Sequence, residues 1–166
     1  LGLAQSGFNG KVQPLEEVRI DELLWDIKEA VYQIHPESKI ELDLSKLPED
    51  EAAVTVKANK NLLKLALTNI VSNACKYSDF KPVSVRLESS NNILSIAVVD
   101  QGIGIPQNDI QHIFEPFFRA SNTSNCKGYG IGLPLSLNII RLHRGSIGIK
   151  SQEGMGTEIK VILPIN

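Results

Sequence analysis

The chain has 166 residues, 42% of them hydrophobic and 22% charged, with a net charge of −2. That length can bury one domain's core, and the charge balance provides no basic field of the kind that nucleic acid or an anionic membrane surface would require. No apolar run reaches the roughly 18 residues of a spanning helix and no signal-peptide pattern is present, while Cys75 and Cys126 form no C-x-x-C pair, so a reducing, cytoplasmic setting is the simplest reading.

Residues 1–16 carry Gly2, Gly7, Gly10 and Pro14 and read as a linker. The chain begins at Leu1 rather than Met, so a piece of a longer protein is expected, with the domain proper over 17–166. Val18-Arg-Ile20 is a short strand candidate. Asp21 is expected to cap a helix running to about Ile34, in which Leu23, Leu24, Ile27, Val31 and Ile34 recur at helical spacing before Pro36. Residues 39–44 alternate as a half-buried strand does, residues 47–51 form a loop, and residues 53–56 are another strand. A second helix spans roughly Asn59 to Tyr77, with Leu63, Leu67, Ile70 and Ala74 as its apolar stripe. Val83–Leu87 and Ile93–Val99 make a hairpin about Asn91-Asn92, and the uninterrupted apolar run of the second strand suggests burial on both faces. Pro106 is expected to open a short helix to about Ile113. The polar stretch 120–126 reads as a mobile loop. A third helix follows it, with Ile131, Leu135, Ile139 and Leu142 on one face, and the tail is a hairpin turning at Glu153–Gly156. Helices interleaved with hairpins imply a mixed, mostly antiparallel sheet with helices on one face.

Three places carry candidate chemistry. Asp100 ends the apolar strand and faces Gly102 and Gly104, so its carboxylate could accept hydrogen bonds from an exocyclic amine while the glycines let backbone approach a flat ring. Asn69 and Asn73 stack at i, i+4 beside the buried stripe of the second helix, with Lys76 and Tyr77 one turn on, either simply solvated or placed to coordinate something. Gly128, Gly130 and Gly132 precede the third helix, which is a hinge or a phosphate site made of backbone N–H groups at a helix start.

Together these segments resemble one family. Asn69-Ile-Val-Ser-Asn73-Ala-Cys-Lys76-Tyr77 is similar to the N box of the GHKL (Bergerat-fold) ATP-binding superfamily, and Asp100-x-Gly102-x-Gly104 to its first glycine box. Phe114-Glu-Pro-Phe-Phe-Arg119 resembles the F box particular to histidine kinases, Gly128-Tyr-Gly-Ile-Gly132-Leu the second glycine box, and Gly154-Met-Gly156-Thr157 the last. The five motifs stand in the family's order over roughly residues 20–164, so the chain resembles the catalytic ATP-binding domain of a sensor histidine kinase of two-component signalling. The resemblance implies an α+β fold, a two-layer sandwich of about five strands against three helices, with ATP and Mg²⁺ as its ligands. It implies that Asn69 ligates Mg²⁺, that Asn73 helps hold metal and phosphates, and that Lys76 neutralises phosphate charge, these three forming the catalytic group. It further implies that Tyr77, Ile105, Phe117 and Leu133 line the nucleotide pocket, that Asp100 takes the adenine amine over Gly102 and Gly104, that Gly128, Gly130 and Gly132 frame the triphosphate, and that Thr157 sits beside Asp100. The partners it implies are a dimerisation domain carrying the acceptor histidine and a downstream response regulator, in a full-length homodimer that can be membrane-anchored although this domain touches neither membrane nor nucleic acid and is itself monomeric.

His35, His112 and His143 do not fit the acceptor pattern and read as structural. Pro134 and Arg144 depart from the family pattern, which commonly has a better helix former and a glycine there. Hydrolytic relatives carry a general-base Glu where this chain has Asn69, so an ATPase is the weaker alternative, as is a non-catalytic ATP-sensing module.

Overall fold

The computed structural model describes residues 15–116, 118 and 132–165; the expected linker up to Pro14, the loop over 120–126, Phe117, Gly128 and Gly130 lie outside the described residues. The elements are β1 (Glu16–Arg19), α1 (Ile20–Ile34), β2 (Ile40–Asp43), β3 (Thr55–Ala58), α2 (Lys60–Tyr77), β4 (Val83–Ser90), β5 (Ile93–Val99), α3 (Gly132–Leu142), β6 (Ser146–Gln152) and β7 (Gly156–Pro164). Five strands form one sheet in the order β2-β4-β5-β7-β6, with β2 parallel to β4 and the other pairs antiparallel. β1 and β3 pair separately as an antiparallel ribbon, Glu16 opposite Ala58.

Three helices cover one face of the sheet, giving the two-layer α+β sandwich that the alternation of helices and hairpins implies. Leu87, Ile96 and Val161 lie opposite one another across β4, β5 and β7, all buried, and face Leu63, Leu67 and Ile70 of α2 and Ile139 and Ile140 of α3. Each fully buried aliphatic side chain of this kind contributes roughly 1.5–3 kcal/mol through removal of apolar surface from water. The β4–β5 turn has Asn91 and Asn92 at φ 53° and 60°, the left-handed pair that a two-residue hairpin matches to strand twist.

Several expectations are corrected. β5 is central in the sheet but less fully covered on one face than the other: Leu94, Ile96 and Val98 are buried, whereas on the other side Ala97 is buried between the partly open Ser95 and Val99. α1 begins at Ile20 with Arg19 as its N-cap, so Ile20 is helical and Asp21 is a first-turn acid whose carboxylate pairs with Arg19 at 2.7 Å. Negative charge in that turn still complements the helix dipole. The strand expected over 53–56 starts two residues later, because Asp50 caps a 3-10 turn at Glu51–Val54 by accepting from the Ala52 N–H at 3.0 Å. Pro106 opens no helix; the segment forms only a 3-10 turn at Ile110–His112, and of its apolar residues Ile113 alone is buried, too little apolar surface to hold a longer helix. Leu142 is 53% exposed, and the buried face of α3 is instead Ser136, Ile139 and Ile140, with Ser136 Oγ donating to the Ala66 carbonyl of α2 at 3.0 Å.

Candidate functional site

The first cluster forms where β5 runs out. Asp100 is 8% exposed, its N–H donates to the Thr157 carbonyl at 2.9 Å, and its Oδ1 accepts from the N–H groups of Gly102 at 2.8 Å and Thr157 at 3.2 Å. Burial pushes the carboxyl pKa up, and the two N–H bonds pull against it. Both bonds fall on Oδ1, so Oδ2 is the oxygen left for anything that enters beside it.

The glycines around Asp100 are set by contact. A Cβ on Gly102 would stand 2.3 Å from the Tyr77 carbonyl oxygen, one on Gly104 (φ +69°) 2.1 Å from that of Gln152, and one on Gly156 (φ +93°) 2.2 Å from that of Asp100 itself. Three backbones therefore meet without room for a side chain: the end of α2, the turn after β5 and the β6–β7 hairpin. The Ile103 N–H reaches the Tyr77 carbonyl at 3.3 Å, and the Gly154 N–H reaches the Ile103 carbonyl at 2.7 Å. Ile105 is held by its N–H donating to Ser151 Oγ at 2.8 Å. Ser151 also contacts Thr157 Oγ1 at 2.8 Å and the Gly156 carbonyl at 3.0 Å. A hollow of about 350 Å³ opens here, lined by Asp100, Ser151, Met155, Gly156 and Thr157 among others.

The second cluster belongs to helix faces. Asn69 and Asn73 lie half-buried on α2 and face the first residue of α3: a Cβ on Gly132 would lie 3.5 Å from Asn73 Nδ2 and 3.9 Å from Asn69 Cβ. Lys76 follows one turn later, its Nζ 5.1 Å from the Tyr77 ring centroid, and Leu133 packs partly buried against the core. α2 thus joins the two clusters, presenting Asn69 and Asn73 to α3 and its last carbonyl to the Asp100 turn. Of the residues singled out in the sequence, Asn69, Asn73 and Gly132 come together, as do Tyr77, Asp100, Gly102, Gly104, Ile105 and Thr157. A larger hollow, about 590 Å³, lies between β1 and α1 near Arg19, Trp25 and Lys60, and none of these motif residues lines it.

The three histidines are engaged elsewhere. His35 Nε2 meets Ser72 Oγ at 3.1 Å with its ring against Phe80, His112 Nδ1 meets Glu115 at 2.7 Å, and His143 bonds the Ile139 carbonyl through Nδ1 while its Nε2 accepts from the Asn59 N–H at 3.1 Å. Ser151 is the residue that motif reading missed. Its signal was the hairpin itself, since folding the tail about Glu153–Met155 places residue 151 opposite residue 157.

The family described as Histidine kinase-, DNA gyrase B-, and HSP90-like ATPase matches residues 58–166, which include both clusters. The chain belongs to that family. Similar proteins are sensor histidine kinases: YkoH of Bacillus subtilis is 37% identical over 115 residues (68% of this chain, 25% of that protein), WalK of the same organism 33% over 138 residues (80% and 22%), and ArlS of Staphylococcus haemolyticus 29% over 163 residues (96% and 35%). The chain thus spans about a quarter to a third of the length of these relatives. Among solved structures, the mycobacterial sensor histidine kinase MprB superposes with a TM-score of 0.75 at 25% identity, covering 90% of this chain and 97% of that one. Full-length ShkA in complex with AMPPNP gives 0.75 at 23% identity, covering 90% and 31%, and agrees in fold. In sequence the chain is similar to sensor histidine kinases, and its fold matches that of a solved one.

Proposed function

We propose that this domain binds ATP with Mg²⁺ between α2, α3 and the Asp100 turn and transfers the γ-phosphoryl to a histidine on a separate dimerisation domain, for onward transfer to a response regulator. The observation that carries this reading is the convergence of Asn69 and Asn73 on the start of α3 at Gly132, on the same helix whose last carbonyl packs against the turn after the buried Asp100. In this reading Asp100 Oδ2 accepts from the adenine amine, Gly102 and Gly104 lie under the ring, Tyr77, Ile105 and Leu133 line the pocket with Phe117, and Thr157 flanks the base. Gly132, with Gly128 and Gly130, frames the triphosphate, and Lys76 supplies a point cation.

The donor chemistry fits Mg²⁺. Among the described residues no three His, Cys, Asp or Glu side chains group into a metal site. Mg²⁺ is commonly held by one or two protein oxygens plus substrate phosphates and water, which the Asn69 amide, helped by Asn73, can provide. The ion would neutralise triphosphate charge. The chain's own task is to position the phosphates and exclude an activated water: an amide cannot take a proton from water at neutral pH, so hydrolysis lacks general-base help worth typically 10²–10⁴-fold. Among the described residues no helix is long and apolar enough to cross a membrane. We place the domain in the cytoplasm, monomeric by itself, as part of a homodimer whose other segments can anchor it to a membrane.

The test is radiolabelled ATP with Mg²⁺. The domain alone should remain unlabelled and release phosphate near background, and adding its dimerisation domain should give an acid-labile phosphohistidine on that partner. Rapid phosphate release by the domain alone would move the reading to an ATPase; saturable binding without any transfer would make it an ATP-sensing module.

A further inference from the structure

Ser151 holds three polar partners at once, and counting valences fixes where each proton lies. A serine hydroxyl has one proton and two acceptor lone pairs. The Ile105 N–H can only donate, so it uses one lone pair at 2.8 Å; the Gly156 carbonyl can only accept, so it takes the serine proton at 3.0 Å. The remaining contact, Thr157 Oγ1 at 2.8 Å, is then satisfied only if the threonine donates to the serine's second lone pair. The reverse assignment would leave Ser151 Oγ and the Gly156 oxygen facing each other as two acceptors at 3.0 Å.

With its proton committed to Ser151, Thr157 Oγ1 offers only lone pairs on its other side. Beside it, Asp100 spends Oδ1 on the N–H groups of Gly102 and Thr157. The hollow, which Lys150, Gln152 and Glu158 also line, thus holds two acceptors at this corner, a carboxylate oxygen and a hydroxyl whose rotation is locked. We infer that Ser151 is a positioning residue that fixes the Thr157 proton, so that the base pocket selects a 6-amino purine over a 6-oxo purine. This rests on the ATP-binding reading above. An exocyclic amine, directly or through one water, brings protons to both acceptors. A 6-oxo group brings a third acceptor and finds a partner in neither of these two.

The experiment is calorimetry on the 166-residue chain with Mg²⁺ and two probes, AMPPNP and GMPPNP. Wild type should bind AMPPNP more tightly. Ser151→Ala frees the threonine hydroxyl to turn and donate, so the ratio of the two affinities should fall by about tenfold, one hydrogen bond's worth; Ser151→Thr, which keeps the hydroxyl, should keep the ratio. Because Ser151→Ala also strips the Ile105 N–H of its acceptor, a variant that fails to fold is replaced by Thr157→Val, which removes the lone pairs at nearly constant volume and should lower the ratio, while Thr157→Ser should hold it. Equal weakening of both nucleotides, or an unchanged ratio in Ser151→Ala or Thr157→Val, would overturn the inference by reducing Ser151 to a structural link. Wild type that binds neither probe would instead overturn the ATP-binding reading, an outcome visible before any variant is made.

Discussion

The two ends of the site are built in different ways. At the Asp100 end, backbone packs on backbone: Gly102, Gly104 and Gly156 have main-chain oxygens within 2.1–2.3 Å of where a Cβ would go. At the Asn69 end, side chains of one helix face the start of another, and among the described residues the nearest atom to a Cβ on Gly132 is an amide nitrogen at an ordinary 3.5 Å. The first end is shaped by the fold before any ligand arrives. The second is decided by which side chains α2 presents. Damage at one end should therefore appear as lost stability and at the other as lost ligand affinity in a sound fold.

Substituting alanine at the crowded glycines should give the largest effects. Gly156→Ala combines φ +93° with a 2.2 Å clash against the carbonyl oxygen of Asp100, which follows the end of β5 and is tied by its N–H to the Thr157 carbonyl. Strain and overpacking together should cost about 3 kcal/mol or more, read from denaturant unfolding, and should remove nucleotide binding with it. Gly132→Ala should stay within about 1 kcal/mol of wild type, because alanine is the better helix former and meets only ordinary contacts among the described residues. Similar losses at both positions would erase the distinction.

Asp100 sharpens the comparison from within the preformed end. A carboxyl pKa raised by burial means that the folded chain holds that proton more tightly than the unfolded one. Its contribution to stability is thus fully present below the ordinary carboxylate range and is lost as pH rises through the raised value. Asp100→Asn keeps an acceptor for the Gly102 and Thr157 N–H groups without the buried charge, so it should gain on wild type in melting experiments as pH climbs from acid to neutral. The same variant should bind ATP roughly ten- to a hundredfold more weakly at neutral pH, since it loses a charged hydrogen bond to the adenine amine. Parallel loss of stability and affinity at neutral pH would count against this account.

Asn69→Ala probes the other end. Asparagine is a mediocre helix former, so the fold should be unchanged or gain up to about 0.5 kcal/mol. Binding in the presence of Mg²⁺ should nonetheless weaken and transfer to an added acceptor domain should vanish, and calorimetry with and without the ion separates the metal-dependent part.

The same division explains what could be read from the sequence. The asparagines on α2, the glycines after β5 and the amphipathic stripe from Leu63 to Ala74 are local patterns, and each lies in the element its spacing implied. Pairings between distant segments left no such trace. Nothing in residues 16–19 or 55–58 says that they pair with each other, nor does the alternation of residues 40–43 say that β2 runs parallel to β4. Ser151 escaped notice for the same reason: its role depends on hairpin register and on Ile105, 46 residues away in the chain. The corrections at Asp21, Val54 and Pro106 are boundary effects, where an ion pair, a capping aspartate or missing apolar surface outweighed propensity.

The smallest effect is expected at Arg144, which tests whether strain in this domain is confined to its site. α3 closes with a Schellman pattern, the Gly145 N–H reaching the Ile140 carbonyl and the Arg144 N–H the Arg141 carbonyl, both at 2.9 Å. That geometry places Arg144 at φ +59°, where a side chain costs roughly 1–2 kcal/mol and glycine costs none. Glycine loses more freedom on folding, which offsets part of the gain. Arg144→Gly should therefore raise stability by about 1 kcal/mol, a shift of a few degrees in melting temperature for a domain of this size. The residue sits at the far end of α3 from Gly132, so AMPPNP affinity should not change. A gain in stability accompanied by altered affinity would mean that the end of α3 sets the position of its start, and that the Asn69 end of the site is held by more of the fold than its open contacts suggest.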